Sequence, residues 1–135
     1  MAGMRQWNPS PKPATRAERD RAVLAALVRL YEDGCYLRPS RQPVGPGDIG
    51  QELNWPGYFF NASSLLQPNL KRLVAAGLVA KVPVGPAHRG NRYKPTGPGI
   101  STDACYRIAA ANAIAVDQLY AATMPGPCGD AGPSE

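Results

Sequence analysis

Residues 70–84 constrain the fold most, because their apolar pattern changes period at a single glycine, Gly77. Before this glycine, apolar residues are spaced as on one face of a helix, at Leu65, Leu66, Leu70, Leu73 and Val74. After it, residues 78–84 form a run typical of a β-strand. The chain is therefore expected to leave a helix at Gly77, in the left-handed conformation that glycine adopts easily, and to continue as a strand.

A second extended run lies at residues 92–95 and is separated from the first by a loop at residues 85–91. Two such runs, joined by a loop that contains Gly85 and Gly90, predict a β-hairpin. The loop and the returning strand carry His88, Arg89, Asn91, Arg92 and Lys94. The hairpin is therefore expected to have a long basic tip.

The N-terminal helix is predicted by a capping signal and an apolar stripe. Thr15 and Glu18 have the spacing of a capping box. Apolar residues then recur at helical spacing, at Val23, Leu24, Leu27, Val28 and Tyr31. Because Gly34 suits the left-handed position that follows a helix, we expect this helix at residues 16–33.

A short helix is expected at residues 46–53, because Gly45 reads as its cap and Pro46 as its first helical position. The preceding residues 35–44 contain two prolines and supply at most a short extended piece at a sheet edge. Residues 54–57 read as a turn, and Tyr58-Phe59-Phe60 follow it. We interpret these aromatic residues as core or a hydrophobic staple, in preference to a platform that stacks on bases.

Pro68 leaves the start of the next helix open. Asn61 or Ser63 caps the helix if it runs through Pro68 with a distortion. Alternatively, the regular helix starts at Gln67, with Pro68 in its first turn and residues 61–66 irregular. We favour a start near Ser63 with a distortion at Pro68.

The last helix is expected at about residues 103–123, capped by Ser101 or Thr102, after residues 97–99 break the chain. One stripe on this helix comprises Ile108, Ala111, Ala115 and Leu119. Small side chains allow two helices to approach closely, so the stripe predicts a homodimer. The competing interpretation packs the helix back on its own domain.

The fold class is therefore mainly α with a small β-hairpin, an α+β chain built on a single core. Residues 15–97 form the domain, and residues 98–124 form an additional C-terminal helix. Residues 1–14 and 125–135 are rich in Pro, Gly and small residues, so we expect two disordered tails.

The charge is distributed unevenly along the chain. From Leu53 to Thr102 there is no Asp or Glu, whereas Lys71, Arg72, Lys81, Arg89, Arg92 and Lys94 all fall in that stretch. The flanking segments mix both signs, as a solvated surface usually does. A polyanion is therefore expected to dock on the middle of the chain.

The order of helix, short helix, helix and basic hairpin resembles the winged helix-turn-helix family of bacterial and archaeal regulators. Two segments carry the resemblance. Residues 70–79, LKRLVAAGLV, are similar to the end of the family's recognition helix, and residues 90–96, GNRYKPT, are similar to its returning wing strand.

The resemblance implies double-stranded DNA as the partner, with the recognition helix in the major groove and the wing on the backbone or the minor groove. The positions facing the groove would be Asn61, Ser63, Ser64, Gln67, Asn69, Lys71 and Arg72. Those on the wing would be His88, Arg89, Asn91, Arg92 and Lys94. Asn and Gln pair bidentately with adenine, and an arginine at a wing tip suits a narrow minor groove.

Nothing in the sequence predicts catalysis, a metal, a cofactor or a small-molecule ligand. The segment from Gly45 to Gly50 matches the G-x-G-x-x-G pattern, but no buried strand precedes it and no acidic residue lies about twenty positions on. His88 has no Cys or carboxylate at ligand spacing, and Ser63-Ser64 with one distant His make no triad. Asp48 and Glu52 share a helical face that a solvated surface explains.

We expect a cytoplasmic protein, in a prokaryotic cytosol or nucleoid. The three cysteines are widely spaced, and no apolar run approaches the ~18 residues of a membrane-spanning helix. The expected function is that of a repressor-like transcriptional regulator that binds specific DNA sequences. The alternatives are a winged-helix module that binds protein, and an accessory DNA-binding protein of replication, a plasmid or a phage.

Overall fold

The computed structural model describes residues 8–35, 39–83 and 91–123, with side chains described as far as residue 114. This part of the chain forms α1 (Arg16–Asp33), α2 (Pro46–Leu53), α3 (Tyr58–Leu65), α4 (Gln67–Ala75), β1 (Val79–Pro83), β2 (Asn91–Pro95) and α5 (Gly97–Thr123). The architecture is mostly helical with a two-stranded antiparallel sheet, so the predicted α+β class is confirmed. Among the described helices, none combines the length and the apolar character needed to cross a membrane.

Helix α1 forms as its sequence predicts. The Thr15 hydroxyl accepts a hydrogen bond from the Glu18 amide at 3.2 Å and so caps the first turn. The apolar stripe is buried in the core, with Val23, Leu24, Leu27 and Val28 at most 1 % exposed. Burial of such a stripe, rather than helix propensity alone, stabilises a helix in a folded domain.

The favoured start of the third helix, near Ser63, is wrong. Two helices meet at Leu66, and Pro68 lies in the first turn of α4. Proline is tolerated there because the first amides of a helix have no intrahelical acceptor. The alternative was right about Gln67 but wrong about the residues before it, which form α3 in place of an irregular segment.

The junction between α3 and α4 preserves most of the helical path. The Leu66 amide donates to the Ala62 carbonyl, and the Leu70 amide donates to the Leu66 carbonyl, both at 2.9 Å. Only Asn61 has non-helical backbone angles within α3. The two helices therefore act as one long element with a kink near its first turn and a break at Leu66.

The predicted hairpin is present, with β1 and β2 paired antiparallel from Val79 opposite Pro95 to Pro83 opposite Asn91. Val44 adds the expected extended piece at the sheet edge, as a single bridge to Tyr93 with two backbone hydrogen bonds of 2.7 and 2.8 Å. Both Val44 and Tyr93 are buried, so the bridge ties the hairpin to the core. The predicted loop lies almost entirely within residues 84–90, outside the described residues.

Helices α2 and α3 pack so closely that one crossing point has no room for a side chain. A Cβ atom added at Gly50 would lie 2.7 Å from the Tyr58 carbonyl oxygen and 2.5 Å from the Ala62 Cβ. Nearby, the rings of Trp55 and Tyr58 meet edge to face, with centroids 5.2 Å apart. This contact fixes the angle at which α3 leaves the turn after α2.

The predicted start of α5 at residue 103 is also wrong, because the helix begins at Gly97. Thr96 caps it in place of Ser101 or Thr102: its hydroxyl accepts from the Gly99 amide at 3.0 Å and donates to the Gly77 carbonyl at 2.7 Å. A Cβ at Gly99 would overlap the Leu78 carbonyl. The glycine and proline residues that suggest a chain break instead occupy a first turn, where proline is tolerated and glycine permits close packing.

The chain divides into two compact units, Met1–Asp103 and Ala104–Glu135. In the first, residues 8–14 belong to the expected disordered tail but make defined contacts. Ser10 donates its amide to the Asn54 carbonyl at 2.8 Å, and Asn54 Nδ2 donates to the Asn8 carbonyl at 3.0 Å. Lys12 Nζ lies 4.9 Å from the centre of the Tyr58 ring. The remainder of that predicted tail lies outside the described residues.

Candidate functional site

Helices α3 and α4 expose one continuous face to solvent. We call it the open face and define it by its exposed residues Phe60, Asn61, Ser63, Ser64, Gln67, Pro68 and Lys71. The buried side of the same helices contains Ala62, Leu66, Leu70 and Leu73, so packing against the core sets which side chains point outward. Five residues of the predicted DNA-binding set, Asn61, Ser63, Ser64, Gln67 and Lys71, are brought together on this face.

Asn69 and Arg72 of the predicted set are not on the open face. Asn69 is 5 % exposed, and its Nδ2 donates to Asp20 Oδ1 of α1 at 2.7 Å. Arg72 donates from Nε to Asp20 Oδ2 and from a terminal nitrogen to Asp20 Oδ1, both at 2.9 Å. We call Asp20, Asn69 and Arg72 the anchor. The expectation that Asn69 and Arg72 face a groove is corrected, because the Asp20 carboxylate holds them toward α1.

The anchor also changes the acidity of its members. Partial burial of Asp20 raises the pKa of its carboxyl, but hydrogen bonds from Arg72 and Asn69 and the positive charges of Arg72 and Arg16 more than offset it. The pKa of Asp20 is therefore lowered below its usual value of 3.8. The hydrogen bond to Asp20 in turn raises the pKa of Arg72. At neutral pH the anchor is thus a charge-assisted pair.

The hairpin adds cations beside this element. Residues paired across an antiparallel ladder share a face, so Arg92 opposite Val82 and Lys94 opposite Ala80 lie on the side away from buried Tyr93. Lys94 is exposed, and Arg92 is half-buried, as is Asn91. Lys81 on β1 is exposed as well, but it pairs with Tyr93 and so lies on the opposite face of the hairpin. Within the described part of the chain, no ion pair or hydrogen bond engages Lys71, Lys81 or Lys94.

The residues between Leu53 and Thr102 include no carboxylate side chain, so nothing within that stretch neutralises these lysines. The open face itself presents amides and hydroxyls, which donate and accept hydrogen bonds. A polar surface that carries only positive charges attracts polyanions. The described open face therefore offers hydrogen bonding and electrostatic attraction to a ligand.

The largest exposed apolar side chain on the open face is Phe60, at 84 %. Its ring meets that of half-buried Phe59 edge to face, with centroids 4.7 Å apart and an interplanar angle of 86°. Of the aromatic triplet, only Tyr58 is a core residue. The interpretation of all three as core or staple is therefore wrong for Phe60.

Not every sequence-predicted residue lies in the described part of the chain. His88 and Arg89 at the hairpin tip lie outside the described residues, as do the side chains of Ala115 and Leu119 on α5. The other two members of the predicted dimer stripe are described: Ile108 is 60 % exposed, and Ala111 is also exposed.

Sequence reasoning missed Phe60 and Asp20. Asp20 offers no local signal, because its partners are 49 and 52 residues away along the chain.

Comparison with known proteins adds no family to this description: no protein-family model, curated protein or solved structure matches the chain. Among the described residues, no three His, Cys, Asp or Glu side chains converge in a way that would hold a metal ion.

Proposed function

We propose that this chain is a winged helix-turn-helix protein that binds double-stranded DNA and regulates transcription as a repressor. The observation that carries the proposal is the open face, where exposed amides and hydroxyls lie beside Lys71 in a stretch without carboxylates. Such a surface suits a ligand that offers both phosphate charge and hydrogen-bonding base edges.

The order of elements supports the winged-helix part of the proposal. After α1, the Val44 bridge, α2, the α3–α4 pair and the β1–β2 hairpin follow in the order in which that fold arranges its helices, edge strand and wing. The turn after α2 positions the next helix through the Trp55–Tyr58 contact. In this assignment α3 and α4 together are the recognition helix.

In the proposed complex, the α3–α4 pair enters the major groove with Asn61, Ser63 and Ser64 of α3 and Gln67 of α4 toward base edges. Lys71 contacts a phosphate, and Arg92 and Lys94, which share one face of the hairpin, contact the backbone of the same duplex. Arg89, on the loop outside the described residues, is the candidate for the minor groove. Asn69 and Arg72 hold α4 on α1 and act as positioning residues.

Binding of a mixed-sequence duplex and of the DNA upstream of the gene, followed by fluorescence anisotropy at about 50 mM and about 200 mM salt, tests the proposal. With three cations (Lys71, Arg92 and Lys94) on phosphates, the logarithm of the association constant should fall with the logarithm of salt concentration with a slope of roughly −3. Lys71→Ala should weaken binding and reduce that slope by about 1. Preference for the upstream duplex would make the protein a regulator.

Arg29→Ala is the matched control, because it also removes one positive charge. Arg29 lies on α1 and pairs with Glu52 at 2.7 Å, away from the stretch without carboxylates. Its loss should leave the salt slope unchanged. No binding at the lower salt concentration, or equal effects of Lys71→Ala and Arg29→Ala, would refute the proposed interface.

One observation favours a second function, binding of protein. Besides Phe60, two further large apolar side chains of α3 and α4 are exposed, Leu65 at 40 % and Val74 at 36 %. An apolar interface of this kind binds with little dependence on salt, in contrast to a DNA interface. The same titration therefore separates the two functions.

We further infer that the protein acts as a homodimer through α5. Ile108 and Ala111 are exposed at helical spacing, and Ala115 and Leu119 continue the stripe in sequence. A symmetric dimer would place two recognition helices on two half-sites. Sedimentation should give a dimer for the wild type and a monomer for Ile108→Glu; a wild-type monomer at tens of micromolar would rule the dimer out.

A further inference from the structure

Phe60 is placed where a side chain of the proposed interface would meet a base. It lies at the start of α3, the end of a recognition helix that reaches deepest into the major groove, and it is 84 % exposed. Ser64 and Gln67 follow it on the same exposed face, one and two turns along. These two neighbours are polar, so the apolar ring of Phe60 lies beside hydrogen-bonding side chains on this face.

The ring of Phe60 is held in place from the protein side. Phe59 is half-buried, and its ring meets that of Phe60 edge to face with centroids 4.7 Å apart. Edge-to-face pairs are favourable arrangements of two aromatic rings. The outer surface of the Phe60 ring therefore remains free of the core while the contact with Phe59 restricts the side chain.

The charge of the surrounding surface indicates which ligand the Phe60 ring would contact. The stretch from Leu53 to Thr102 has no acidic residue, and Lys71 lies on the same face, one turn beyond Gln67. A ligand with negative charge is therefore attracted to the surface that displays Phe60. In the major groove, the apolar group that DNA presents is the 5-methyl group of thymine.

We propose that Phe60 contacts the 5-methyl group of a thymine in the major groove and so gives the protein a preference for T at the base pair it faces. The inference rests on the proposed function and deepens it, because it assigns a base preference to one residue. The flanking Ser64 and Gln67 bond the polar edges of neighbouring bases, and Lys71 sets the register on the backbone.

The test removes the methyl group from DNA and the ring from the protein. The preferred duplex is selected from a random library with the wild-type protein, and each thymidine in it is then replaced singly by deoxyuridine. At one position the wild type should lose about fourfold in affinity, the effect expected for one buried methyl group. Phe60→Ala should bind the thymidine and deoxyuridine duplexes equally at that position.

The comparison forms a double-mutant cycle, so any general effect of deoxyuridine on the duplex cancels. Leu65→Ala is the control on the same helix, since it removes another exposed apolar side chain and should keep the methyl effect. Because Phe60 is so exposed, Phe60→Ala should melt at the temperature of the wild type.

The outcomes separate the inference from the function on which it rests. If the wild type binds duplex with the expected salt dependence but no position responds to deoxyuridine, the Phe60 assignment is overturned and DNA binding stands. A methyl effect that persists in Phe60→Ala also overturns it. If the wild type binds no duplex, both proposals are refuted. In that case, if the wild type forms a protein complex whose affinity does not depend on salt and Phe60→Ala does not, the Phe60 ring is assigned to protein binding.

Discussion

Helix α4 carries two pairs of residues, each made of one side-chain amide and one cation, and the environments of the two pairs differ. Asn69 and Arg72 are held by Asp20 of α1, whereas Gln67 and Lys71 lie on the open face, where no described residue of another helix pairs with them. The residue types are nearly the same in both pairs. What separates them is a carboxylate that α1 supplies, so the same chemistry is structural on one side of the helix and available for a ligand on the other.

The largest expected difference in stability is between two adjacent residues of α4, one on its buried side and one on the open face. Leu70 is fully buried, so Leu70→Ala should lower the free energy of unfolding by about 3 kcal/mol through lost packing and a cavity. Lys71→Ala should change it by less than about 0.5 kcal/mol, because its side chain is exposed. Urea unfolding followed by circular dichroism measures both. Similar losses for the two variants would mean that the open face is packed in solution.

The anchor is tested by removal of its acceptor. In Asp20→Ala the buried Asn69 amide loses its partner, and we expect the free energy of unfolding to fall by about 1 kcal/mol. Gln67→Ala, which removes the exposed amide, should have an effect within about 0.5 kcal/mol. The same urea titration provides the values. If Asp20→Ala is as stable as the wild type, the anchor contributes nothing and the distinction between the two pairs is lost.

Acid should weaken the anchor and leave the open face unaffected. The pKa of Asp20 is lower in the folded chain than its usual 3.8, so its contribution to stability is present above about pH 3.8 and is lost as pH falls through the folded pKa. Asp20→Asn removes the titrating group. The difference in melting temperature between the wild type and Asp20→Asn should therefore shrink below that pH, whereas a constant difference would exclude a role for the Asp20 charge.

The smallest expected effect concerns a single hydroxyl of the open face. Ser64→Ala should leave the free energy of unfolding within about 0.5 kcal/mol of the wild type, because Ser64 is exposed. It should weaken duplex binding about threefold, the equivalent of roughly 0.7 kcal/mol for one neutral hydrogen bond. Melting curves and anisotropy measure the two quantities. A stability loss without a change in affinity would reverse the assignment of Ser64.

Local signals predict the parts of this fold that depend on neighbouring residues. The Thr15 cap, the stripe on α1 and the exit at Gly77 all arise within a few turns of chain, and each is found where the sequence indicates it. Proline and glycine were harder to interpret, because Pro68 and Gly97 occur in first turns that look like breaks when only the sequence is considered. Their position follows from how the flanking residues pack.

The candidate site was predicted less completely for a similar reason. Polarity identified Ser63, Ser64, Gln67 and Lys71, which are exposed, but it equally selected Asn69, which is buried. Asp20 becomes its partner only when α1 packs on α4. Likewise, Phe60 is apolar and was assigned to the core, because the sequence does not reveal that Tyr58 takes the interior position in that turn.

Steric fit at the closest packing points limits how sequences with this fold can diverge. The contact of Gly50 with Tyr58 and Ala62, and that of Gly99 with the Leu78 carbonyl, leave no room for a Cβ atom. Distant descendants of the same ancestor are expected to retain glycine at both positions and a residue no larger than alanine at position 62, even after the exposed residues have drifted beyond recognition. This spacing is a signature by which such relatives can be sought.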